Sequence, residues 1–113
     1  MKELKVICRK ERVERVVATL RAAGVPRLTL SHVHALGSGV DPEHYRLAFE
    51  EGAAYTEKAK IELVCRGEDV PRLVDLVLES CRTGQRGDGV IFVTDIARVV
   101  KIRTGDENAL ALL

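Results

Sequence analysis

An α+β sandwich, with two helices packed on one face of a four-stranded antiparallel sheet, is the fold class that this sequence predicts. Three observations carry it. Apolar residues recur with the two-residue period of strands and the 3.6-residue period of helices, in the order strand, helix, strand, long loop, strand, helix, strand. The two halves resemble each other: VICRKERVERVV (6–17) laid over LVCRGEDVPRLV (63–74) matches at six of twelve positions. Finally, alternation places Leu4, Val6 and Cys8, and likewise Ile61, Leu63 and Cys65, on a uniformly apolar side that suits two helices. Such a two-layer arrangement is of the ferredoxin-like kind.

The elements follow in order. Leu4–Cys8 is a short strand. Over 10–23 the period changes: Val13, Val16, Val17 and Leu20 mark a helix, with Gly24 just past its end. Leu28–Leu36 alternates and holds β-branched residues, as a strand does. Residues 37–57 break every pattern and read as a long functional loop. Lys60–Cys65 is strand again. Val70, Leu73, Val74, Val77, Leu78 and Cys81 mark a second helix, with Glu68 and Asp69 at its start, where the dipole favours acids. Val90–Asp95 and Ala97–Arg103 read as strand, and 104–113 as a tail ending in ALALL. The sheet side away from the helices carries Ile7, Val64 and either Phe92 or Val93 beside charges, a face suited to another subunit.

At 113 residues the chain fits one domain, 1–113. Charged residues are 31% and the net charge is +1, so broad polyanion or nucleic-acid binding is not indicated. No apolar run reaches a membrane span, and Met1-Lys2-Glu3 opens no signal peptide, so the expected location is the cytoplasm. Cys8, Cys65 and Cys81 are widely spaced with no CxxC, and read as buried thiols rather than a disulfide or zinc framework. His32 and His34 share a strand face but lack a third ligand at fixed spacing, so no metal site is expected. Asp88, Asp95 and Glu62 have no nucleophile or base placed beside them, so no catalytic residue is expected.

TGQRGDGVIF (83–92) runs three glycines into an apolar strand. Glycine tolerates positive φ, and successive N–H groups in such turns can cradle an anion. Gly84, Gly87 and Gly89 suit that role. Lys101 and Arg103, two apart on an expected strand, would add same-side cations, and Arg82 and Arg86 are further candidates. No GK[ST] follows, and a strand rather than a helix comes next, which rules out a P-loop or a Rossmann turn.

TGQRGDGVIFVTDIARVVKIRTG, residues 83–105, closely resembles the C-terminal signature of the PII signal-transduction proteins, TG-x-x-GDG-x-IFV-x-x-[VI]-x-R-[VA]-x-x-IRTGE. Thr29, Gly37, Lys58, Lys60, Glu62 and Val64 also stand where that family has equivalents. The resemblance implies a homotrimer that binds adenine nucleotide in clefts between subunits and controls a transporter or enzyme through its long loop. It implies that Thr29, Glu62 and Val64 contact adenine, with Gly37 also at the nucleotide, and that Gly87, Asp88, Gly89, Lys101 and Arg103 hold phosphate.

The sequence departs from that pattern in places. Ser38 and Gly39 replace a basic residue and a glutamine, Val90 replaces the lysine after GDG, and Glu51 replaces a tyrosine. These losses of cationic and metal contacts favour ADP or AMP over MgATP. Tyr45, Phe49, Glu51 and Tyr55 are the expected partner-contacting residues of the loop. Residues 37–57 hold five acids against Arg46 alone, a balance of −4, which leaves +5 on the rest. The acidic loop could therefore compete with a nucleotide for a basic cleft. The alternative reading is a trimeric PII-like or CutA-like protein that binds metal or a small anion without nucleotide signalling.

Overall fold

The computed structural model describes residues 1–36, 46–47 and 54–112. Its elements are β1 (Lys2–Arg9), α1 (Val13–Ala22), β2 (Thr29–Ala35), β3 (Arg46–Leu47), β4 (Ala54–Cys65), α2 (Val70–Cys81) and β5 (Gly89–Asp95). The sheet runs β2-β4-β1-β5, antiparallel throughout, and the two-residue β3 pairs with the start of β4. This is the two-helix, four-stranded sandwich that the sequence predicts.

The internal resemblance extends to the backbone. Each half carries a Cys-Arg pair at the end of its strand (Arg9 closes β1, whereas Arg66 directly follows β4), makes one 3₁₀ turn (Lys10–Arg12 or Gly67–Asp69), and starts its α-helix on valine. Arg9 and Arg66 precede the turns in extended conformation, at ψ 135 and 148, and Val13 and Val70 enter the helices at nearly identical angles. The helical reading of 10–23 was therefore right in extent, but its first turn is tighter than α. α1 ends where Gly24 predicts, at φ +95. There the Gly24 N–H donates to Arg21 O and the Val25 N–H to Leu20 O, which closes the helix end and packs Val25 toward the core.

Leu4, Val6, Ile61 and Leu63 meet Val16, Leu20, Leu73 and Val77 between sheet and helices, all at most 3% exposed. Each such side chain contributes about 1.5–3 kcal/mol on removal from water. On the opposite side of the sheet, register aligns Thr29, Glu62, Lys5 and Phe92 in one row, and Ser31, Lys60, Ile7 and Val90 in the next. Register thus assigns Phe92 to the uncovered face, while Val93, opposite Leu4, lies on the helix side. Phe92 and Val90 remain about half exposed.

Two sequence expectations are corrected. Ala97–Arg103 is not a strand. The chain turns back on itself there, with the N–H of Asn108 donating to Val99 O, that of Lys101 to Asp106 O, and that of Gly105 to Lys101 O. A single bridge, Val100 to Glu107, is its only ladder. The alternating Val100 and Ile102 belong to this hairpin, and Ile102 is fully exposed. The loop is also shorter than 37–57, because 54–57 lies within β4 and pairs with β2 and β3. The sequence signal was lost there because this stretch mixes Ala, Tyr, Thr and Glu without clean alternation.

Candidate functional site: a clamped glycine loop and a separate cleft

The loop from α2 to β5 folds around one carboxylate. Asp88 accepts hydrogen bonds from the N–H groups of Thr83 (2.8 Å) and Gly84 (2.9 Å), from the Thr83 hydroxyl, and from Arg9 Nε at 3.2 Å. Burial alone would raise its pKa. The hydroxyl, the two amides and the guanidinium outweigh that and hold it well below the usual carboxylate range. Two cations from the sheet fix the other side of the loop. Arg9 Nη2 donates to Arg86 O at 2.7 Å, and Lys58 Nζ donates to Gly87 O. Arg9 and Lys58 are opposite each other in the β1–β4 register, and both are buried. Gly89 then enters β5 at φ +106, pressed against Ile7 O of β1.

Sequence reasoning did not single out Arg9 or Thr83 as functional, and placed Lys58 only by resemblance. Thr83 had a readable signal, since a threonine five residues before an aspartate in a glycine turn can close it through side-chain hydrogen bonds. A buried arginine on a strand has none. Asp88, expected at phosphate, turns its carboxylate into the loop, so only the backbone there is free to face a ligand.

The remaining expected residues lie elsewhere. Thr29, Glu62, Val64 and Lys101 line one cleft of about 670 Å³, between the open end of β4 and the hairpin that follows β5. The 3₁₀ turn Asn108–Leu112 forms part of its wall, with Ala111 buried. Arg103 stands exposed in the turn at the tip of that hairpin. Asp88 and Gly89 border a different cavity, of about 410 Å³, between α2 and the β1–β5 pair. One chain therefore does not bring Gly87–Gly89 together with Lys101. The same-side pairing of Lys101 and Arg103 also falls, because it assumed a strand. Glu62 keeps Lys60 Nζ at 3.6 Å along β4.

Gly37, Tyr45, Phe49 and Glu51 lie outside the described residues, as do Ser38 and Gly39. Tyr55 falls on β4. His32 and His34 share a face of β2, both exposed, and among the described residues no three His, Cys, Asp or Glu side chains gather as metal ligands. Among the described residues, no helix is long and apolar enough to cross a membrane.

Comparison with known proteins agrees with this architecture. Residues 1–106 match the family described as Nitrogen regulatory protein P-II. Nitrogen regulatory protein P-II 2 of Methanothermobacter thermautotrophicus is 38% identical over 117 residues, covering 99% of this chain and 97% of its own. Nitrogen regulatory protein P-II of Microchaete diplosiphon is 34% identical over 99% of this chain and 100% of its own. Nitrogen regulatory protein P-II 1 of Escherichia coli is 32% identical with the same coverage. With a clamped glycine loop, a hairpin-walled cleft and full-length likeness of this kind, the chain belongs to the nitrogen regulatory protein P-II family.

Proposed function

We propose that the protein is a homotrimeric regulator, not an enzyme, that binds an adenine nucleotide between subunits and controls a transporter or enzyme of nitrogen or carbon metabolism through the loop that precedes β4. The observation that carries this reading is the division of the site. The glycine loop borders one cavity, and Thr29, Glu62, Val64 and Lys101 line another. A nucleotide spanning both kinds of wall requires a second copy of the chain. The uncovered sheet face, with half-exposed Phe92 and Val90, supplies the apolar surface through which copies associate.

On this reading the adenine sits against Thr29, Glu62 and Val64 of one subunit. The phosphates meet Lys101 and Arg103 and the backbone of Gly87, Asp88 and Gly89 across the interface, and Gly37 is a further nucleotide-binding residue. Val90 puts an apolar side chain where a lysine would add charge, so ADP or AMP is favoured over MgATP. The nucleotide acts by population shift: it favours one arrangement of the loop that precedes β4, and the partner, met through Tyr45, Phe49 and Glu51 together with Tyr55 at the start of β4, binds that arrangement better. The expected setting is the cytoplasm, with no membrane insertion and no nucleic acid.

Calorimetry with ATP, ADP and AMP, with and without Mg²⁺, 2-oxoglutarate and bicarbonate, tests the assignment. Arg103→Ala removes one charge-assisted contact and is expected to weaken binding about tenfold to a hundredfold. Unchanged affinity in that variant, or a monomer by analytical ultracentrifugation, contradicts the reading. Binding of zinc or a small anion, with all three nucleotides inert, supports the alternative instead.

A further inference from the structure

We propose that the 3₁₀ turn Asn108–Leu112 is a further part of the ligand site: through Ala109 and Leu112 it supplies an apolar wall for the base of the nucleotide. This deepens the reading above and rests on it. As sequence, these residues are only a tail ending in ALALL. The structure gives them a fixed place. The hairpin after β5 carries the turn: Arg98 Nε donates to Glu107 Oε1 at 2.6 Å, and Val100 bridges to Glu107. Asn108 then takes φ +54, the one positive φ among the described residues outside glycine. Asparagine adopts that conformation more readily than most residues. Its N–H donates to Val99 O at 2.8 Å, and its Oδ1 accepts from the Val99 N–H at 3.4 Å. The chain turns there, and the residues that follow join the wall of the cleft of about 670 Å³ that Thr29, Glu62 and Val64 also line.

Within the turn the side chains divide by face. Residues three apart on a 3₁₀ turn stand one above the other. Ala109 and Leu112 therefore share a side, and both line the cleft, half-buried. Ala111 is 3% exposed and anchors the turn. Leu110 is 60% exposed and takes no part in the lining. Beyond Asn108, apolar burial holds the turn, so a ligand that packs on Leu112 also fastens it.

This wall suits a flat heteroaromatic ring. Such a ring takes polar partners at its edge and apolar contact on its faces. Thr29 and Glu62 face each other in the β2–β4 register and supply polar groups. β4 runs on to Cys65, while its pairing with β2 stops at Glu62, so no strand covers that backbone edge beside the cleft. Val64, two residues after Glu62, shares its side of the sheet and gives one apolar contact. Leu112 and Ala109 give the second, from the hairpin side.

The test titrates the full chain with AMP and ADP by calorimetry. Leu112→Ala trims the wall and is expected to weaken both by a similar factor, about fivefold to thirtyfold, because the lost apolar contact is with the base that the two ligands share. Leu110→Ala, on the outer side of the turn, is expected to leave both affinities unchanged. Nuclear Overhauser contacts between the Leu112 methyl groups and the base protons of bound AMP are expected in the wild type, and they report the contact itself. Bound AMP without those contacts, or equal affinities in the wild type and Leu112→Ala, overturns the proposal and leaves the nucleotide reading standing. A loss confined to ADP would put the turn at phosphate and overturns it too. A wild-type chain that binds neither AMP nor ADP overturns both, so the two failures are distinguishable.

Discussion

Gly89→Ala is expected to remove a large part of the stability of the domain. Gly89 stands at φ +106, where an L residue is strained by about 1–3 kcal/mol before any contact is counted. Its added Cβ would lie 1.7 Å from Ile7 O, 2.8 Å from Ile7 C and 3.0 Å from Cys8 Cα. All three are backbone atoms of β1, so no flexible side chain can yield, and the strands must part where β5 begins. A cost above about 4 kcal/mol is expected, against a total of about 5–15 kcal/mol for a domain of this kind. Gly84→Ala supplies the control. Gly84 has φ +85 but nothing within 4 Å, so only the backbone preference is lost, about 1 kcal/mol. Urea unfolding of both variants measures the difference. Equal midpoints for the two would show that the approach of Gly89 to β1 is not what confines that position to glycine.

The second large effect is at Asp88. Asp88→Asn is expected to cost about 2–4 kcal/mol at neutral pH, since the charge that faces Arg9, two amides and a hydroxyl is removed. The pH dependence has a definite sign. The folded pKa is depressed, so the carboxylate's contribution is complete above its unfolded value of about 4 and is lost as pH falls toward the folded value. The gap in urea midpoint between wild type and Asp88→Asn should therefore narrow steadily below about pH 5. A gap that stays constant down to acid pH would mean the charge of Asp88 does not organise the loop. Calorimetry on the same variant is expected to show weaker nucleotide binding, because Gly84 and Gly87 lose their fixed placement.

Much of the fold was legible because several signals agreed at the same residues. Val16, Leu20, Leu73 and Val77 carry the helical period, and the matched Cys-Arg pairs mark the duplicated turns. Gly24 ended α1 because only a positive φ closes that helix end. Ala97–Arg103 misled because alternation cannot distinguish a sheet strand from the arm of a hairpin that curls away from the sheet. At the site, residue types were legible and relative position was not. Lys101 and Gly89 are close in sequence, yet β5 and the hairpin carry them to different cavities. The role of Arg9 was hidden for another reason. Its counterpart Arg66 occupies the same place in the second half and remains exposed, so only the loop facing Arg9 makes it special.

The partition of the recognition groups between two cavities of one chain has a thermodynamic consequence. On the proposed assembly, ligand and subunit association are linked by mass action: nucleotide holds trimers together, and dilution below the trimer's dissociation range weakens apparent nucleotide affinity without any change in the groups that touch it.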